Sequence, residues 1–105
     1  TLGTASNLAI NLSAVGLMEE ARDLGEDTLA RRRRVLGEDH PDTLRSASNL
    51  AINLSALGLM EEARDLGEDT LARRRRVLGE DHPDTLRTAK LLELLDDTRD
   101  EPDTE

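Results

Sequence analysis

The chain repeats itself. Residues 43–84 read TLRSASNLAINLSALGLMEEARDLGEDTLARRRRVLGEDHPD. Residues 1–42 are the same text except at Gly3, Thr4 and Val15, where the second copy has Arg45, Ser46 and Leu57. Thr85-Leu86-Arg87-Thr88-Ala89 opens a third copy, which diverges after Ala89. A period in the range of roughly 20–50 residues marks a stacked repeat architecture, because one unit cannot bury its apolar face alone and its neighbours must cover it. That constraint outranks any local motif.

Within a copy the apolar residues recur at helical spacing. Pro41 suits a first helical turn, where its missing N–H costs nothing, and Asp42 complements the helix dipole there. At 100° per residue, Leu44, Ala47, Leu50, Ala51, Leu54 and Leu57 share an arc of about 140°. This predicts a helix over about 42–57, ended by Gly58. A second helix is predicted over about 60–78, with Met60, Ala63, Leu66, Gly67, Thr70, Leu71, Val77 and Leu78 inward. Glu61, Asp65, Glu68, Asp69 and Arg76 face the other way. Gly67 in mid-helix costs ~1 kcal/mol against alanine, which predicts that a neighbouring backbone comes close. Asp69 and Arg73 have the favourable acid-before-base spacing. Only Gly79-Glu80-Asp81 separates this helix from His82-Pro83, and so short a loop forces antiparallel packing.

By the same spacing the first copy predicts helices near 2–15 and 18–36, and the third copy one helix over about 83–96. Residues 96–105, DDTRDEPDTE, hold no apolar side chain and read as a disordered acidic tail. The expected organisation is therefore a repeat domain over 1–95 (copies 1–42 and 43–84, half copy 85–95), five helices in all, followed by that tail. Thr1 is not an initiator Met and the first copy lacks its own HPD lead-in, so a fragment of a longer array is expected.

The run Asn49-Leu50-Ala51, Leu54, Leu57-Gly58 and Glu62-Ala63 resembles a tetratricopeptide repeat. The long second helix and the junction from Leu78 to Asp84 are similar to the 42-residue variety of kinesin light chains and of arrays in bacterial signalling proteins. The resemblance covers roughly residues 1–95 and recurs in phase. Departures are Leu54 and Gly67 at aromatic positions, Thr70 at an alanine position, and a third copy that stops after one helix. What it implies is an all-α, right-handed stack of antiparallel helical hairpins, about two and a half repeats long, with the first helices lining a concave groove.

The face of the first helix opposite its apolar stripe would then line that groove. In copy two it carries Arg45, Ser48, Asn49 and Ile52; in copy one Asn7 and Ile10; in copy three Arg87 and Lys90. In related proteins an Asn at the place of Asn7 and Asn49 commonly bonds the main chain of an extended peptide, and a primary amide offers both donor and acceptor for that. The arginines and Lys90 would attract carboxylates. Alternatively, the Asn side chains satisfy backbone at a helix–helix contact and the Ile side chains pack on the next repeat. In the third copy Leu91, Leu94 and Leu95 make the helix apolar on more than one face. This fits either a terminal cap or a sticky end that docks on another chain, giving a homo-oligomer.

Other chemistry finds little support. The net charge is −9, most of it in the last ten residues, whereas nucleic-acid binding calls for a positive surface. Arg31–Arg34 and Arg73–Arg76 lie in last helical turns and point in four directions, so structural roles are expected, with buried stems and paired heads at Arg32 and Arg74. The chain has no Cys and no Phe, Tyr or Trp, which excludes disulfides and thiolate metal sites and predicts modest stability. His40 and His82 occur once per copy, in a turn that starts a helix, so no metal is expected. No nucleophile–base pattern and no phosphate-cradling glycine loop is present, so neither catalysis nor a cofactor is expected. The apolar runs are too short for a membrane span or a signal peptide. The expectation is a cytoplasmic, non-catalytic module that binds a protein or peptide segment in the groove; the alternative is a self-associating structural segment of a larger signalling protein.

Overall fold

The computed structural model describes the backbone of residues 4–99 and the side chains of residues 15–96. Within these bounds four helices follow one another: α1 Thr4–Leu36, α2 Pro41–Ala56, α3 Met60–Leu78 and α4 Pro83–Arg99. Each packs on the next, and α2 also touches α4. No strand occurs among the described residues.

Local chemistry sets most of the boundaries. His40 is extended, and its Nδ1 accepts the Asp42 N–H at 3.1 Å, which caps α2 beside Pro41. His82 caps α4 in the same way at 3.0 Å. Beyond α2 the chain turns through Gly58 at φ +85°, and the Leu59 N–H donates to the Leu54 carbonyl at 2.8 Å. The expected inward face of α2 is buried: Leu44, Ala47, Leu50, Ala51 and Leu54. Ala47, Leu50 and Leu54 belong to a core shared with Leu29 of α1, Ala63 and Leu71 of α3, and Leu92 and Leu95 of α4. Fully burying one such leucine is worth ~1.5–3 kcal/mol.

Gly25 and Gly67 are holes for leucines of the following repeat. A Cβ at Gly67 would lie 2.9 Å from Leu92 Cδ2, and one at Gly25 would lie 3.3 Å from Leu50 Cδ1. The close neighbour of Gly67 is thus a side chain, not the expected backbone. Thr70 tolerates its buried position because its hydroxyl donates to the Leu66 carbonyl at 2.8 Å.

The junctions are built twice with the same parts. Arg74 is buried, and its Nη1 donates to the Asp84 carbonyl at 3.3 Å and the Thr88 hydroxyl at 2.8 Å. Arg32 reaches the Asp42 carbonyl and the Ser46 hydroxyl at 3.1 and 2.9 Å. Neutral oxygens, not carboxylates, receive both heads. In return the Thr43 and Thr85 hydroxyls donate to the Arg32 and Arg74 carbonyls, each at 3.3 Å, at helix ends short of acceptable donors.

One ion cluster ties the first junction to the second repeat. Asp39 accepts from Arg73 at 2.9 Å and from Arg76 at 3.0 Å, while Arg73 also holds Asp69 at 3.0 Å. These guanidiniums, Arg73 foremost, hold the Asp39 carboxyl below the usual aspartate range. A depressed acid stabilises the fold fully above its unfolded pKa, near 4, and the contribution is lost as pH falls through the lowered value. An acid titration followed by circular dichroism should show Asp39→Asn less stable than the parent at neutral pH, with the gap closing below about pH 4. Because the pair is exposed, the neutral-pH gap should also shrink in molar salt.

Two sequence expectations are corrected. The first copy is not a hairpin: residues 4–36 form one continuous helix, so the described chain has four helices, not five. Gly16 lies inside α1, whereas Gly58, Gly37 and Gly79 take positive φ. In copy two, Leu59, Met60 and Leu66 pack against the core once the chain folds back. No such cover reaches the equivalent side of α1, where Leu17 and Leu24 are 62% and 66% exposed. Without burial to reward a bend, helix propagation adds a hydrogen bond per residue and the straight path wins. The second correction lies at the other end. α4 runs through Arg99, past Asp96 where a tail was expected to begin, and residues 100–105 fall outside the described part. Asp96 itself faces the buried Arg64 at 3.4 Å.

Candidate functional site

The helical period that buries one side of α2 leaves the other side facing α4, and a cavity of about 350 Å3 lies there. Pro41, Asp42, Arg45, Ser48, Asn49 and Ile52 of α2 line it, with Arg74 of α3 and Asp84 and Arg87 of α4. Five residues expected on the groove therefore come together: Arg45, Ser48, Asn49, Ile52 and Arg87. Asn49 and Arg45 are exposed, Ser48 is half-buried, and Ile52 is 48% exposed. None of them is sealed inside the fold.

The electrostatics are those of a held, open rim. Arg45 pairs with Asp42, and Arg87 with Asp84 at 2.9 Å, both at i,i+3. The two aspartates are helix first-turn residues, so they complement the helix dipoles while fixing the arginines. Arg74 completes the lining; its Nε is buried without a hydrogen-bond partner, and burial lowers its pKa. Three guanidiniums against two carboxylates leave the lining positive on a strongly acidic chain. Such a lining can attract carboxylates.

Other expected members lie elsewhere. Lys90 is outside the lining, 70% exposed, and pairs with Glu93 at 3.7 Å. The side chains of Asn7 and Ile10 fall outside the described residues. Of the apolar trio in the third copy, Leu95 is buried in the core and Leu91 packs against it, which leaves Leu94 exposed.

Asp42, Asp84 and Arg74 were missed by sequence reasoning. The i,i+3 acid–base spacing of Asp42/Arg45 and Asp84/Arg87 could have found the aspartates; nothing in the pattern placed Arg74 between two first helices. All four arginines of the second run have partners within the protein: Asp39 and Asp69 for Arg73, the junction for Arg74, Glu80 for Arg75 at 3.2 Å, and Asp39 for Arg76. Among the described residues, no group of three or more His, Asp or Glu is placed to hold a metal ion, and no helix is long and apolar enough to cross a membrane.

The family model for the tetratricopeptide repeat fits residues 1–75 and again residues 47–104. No curated protein matches the chain.

Proposed function

The chain belongs to the tetratricopeptide repeat family, and from that premise we propose that it is a non-catalytic interaction module that binds an extended, carboxylate-bearing peptide between α2 and α4. Repeats of this family generally mediate protein–protein interactions. The observation that carries the narrower reading is the cavity lined by Arg45, Ser48, Asn49, Ile52 and Arg87. Asn49 bonds the peptide main chain, Ile52 supplies apolar contact, and the paired arginines take acidic side chains or a terminal carboxylate. The 42-residue period and the Leu-Gly-Glu-Asp-His-Pro-Asp junction support the kinesin-light-chain-like variety.

The test is selection from a displayed library of extended peptides, then fluorescence anisotropy with the best binder. Asn49→Ala combined with Arg87→Ala should weaken binding at least about tenfold, roughly 1.4 kcal/mol. Unchanged affinity would put the ligand on another surface. A second reading, self-association, is favoured by a different observation: the exposed leucines of α1.

A further inference from the structure

Residues 16–42 and 58–84 are identical, as are 5–14 and 47–56, so the two linkers differ only at Val15 against Leu57. Yet one linker is straight inside α1 and the other is bent at Gly58. The same letters thus hold both shapes. In the bent copy, α2 folds back on α3, and Leu59 and Leu66 pack against the core. In the straight copy their counterparts are uncovered: Leu17 is 62% exposed and Leu24 66%, with Val15 beside them at 51%.

We propose that the chain forms a two-fold dimer by exchanging its first helical segment: residues 4–15 of one chain cover the Leu17–Leu24 face of the other chain's α1, and the reverse. The second copy of this chain is the occupant because the molecule already contains the docked form. Leu59 and Leu66 pack against a core to which α2 contributes Ala47, Leu50 and Leu54, and α2 carries over residues 47–56 the same letters as residues 5–14. Two straight helices laid antiparallel, with Gly16 near the crossing, set each first segment against the other chain's second in the hairpin's own direction. Such helices are about 50 Å long and pack about 10 Å apart. The pairing buries on the order of 1,000 Å2 in total, the lower bound for a specific interface. The contact is isologous and closes on itself, so it ends at two chains. This inference places self-association on α1, away from the groove of α2 and α4, and does not depend on the groove.

The chain lacks cysteine, so introduced cysteines label cleanly. Light scattering should give about twice the 11.6 kDa chain mass. Spin labels at Ser6→Cys and Glu26→Cys in one chain, diluted with excess unlabelled protein, should lie ~30 Å apart, the length of twenty helical residues. Labels on separate chains, one at each site, should come within roughly 20 Å, near the spacing of packed helices plus linkers. Leu24→Glu should convert the dimer to monomer with the helical signal unchanged, since Leu24 is exposed in the single chain, and with peptide binding by the groove retained. A monomer throughout a dilution series, a short in-chain 6–26 distance, or a dimer that survives Leu24→Glu would each overturn the proposal.

Discussion

Leu50→Ala is expected to destabilise the fold by roughly 2–5 kcal/mol, whereas Ile52→Ala, two residues along the same helix, should cost less than about 1 kcal/mol. Leu50 is 5% exposed, belongs to the core cluster, and fills the space that Gly25 leaves on α1. Truncating it removes transfer energy and opens a cavity next to a neighbour that offers no atoms to fill it. The chain holds no aromatic side chain that could swing into the gap. For a small domain with a total stability of about 5–15 kcal/mol, the loss is a large part of the whole. Ile52 is 48% exposed on the groove side. Its removal should act on peptide binding and leave the urea midpoint nearly in place. Comparable urea shifts for both variants would mean that Ile52 is core and that the groove face is misassigned.

The second large effect is a change of sign between equivalent positions. Gly58→Ala should destabilise by roughly 1–2 kcal/mol, because it forces a residue with a Cβ into the left-handed region at φ +85°. No heavy atom lies within 4 Å of a Cβ at Gly58, so the cost is conformational and not a clash. Gly16 lies inside α1, and a Cβ there also meets nothing within 4 Å. Gly16→Ala should therefore stabilise by up to ~1 kcal/mol through helix propensity alone. Urea unfolding of the two single variants makes the comparison, with the identical stretches 17–42 and 59–84 on the C-terminal side of the two sites as an internal control for local sequence. A loss of stability at both sites would mean that copy one closes into a hairpin like copy two.

The groove was legible in the sequence because it depends on periodicity. Once the apolar stripe of α2 faces inward, Arg45, Ser48, Asn49 and Ile52 have to share the opposite side, and the in-phase third copy brings Arg87 beside them. Residues outside that logic were not legible. Arg74 reaches the cavity from α3, and Asp39 meets Arg73 and Arg76 more than thirty positions away along the chain. Contacts of this kind depend on where one helix ends relative to the next, and no repeat within a helix encodes that. Leu95 shows the same limit. Its place on a helix with apolar residues on several sides did not say which of them would be buried, and Leu95 lies in the core while Leu94 stays exposed.

The order of letters by itself determined the repeat, the helical content and the inward faces of α2, α3 and α4, since hydrophobic spacing, prolines and capping residues act over one or two turns. It also determined the two junctions, whose His, Thr and Arg recur in register. Only the tertiary structure decided that Gly58 bends and Gly16 does not. The linkers are the same beyond a single residue, so the choice rests with what lies around each: α2 closes onto α3 over a common core, while Leu17 and Leu24 of α1 stay exposed and the chain continues as helix.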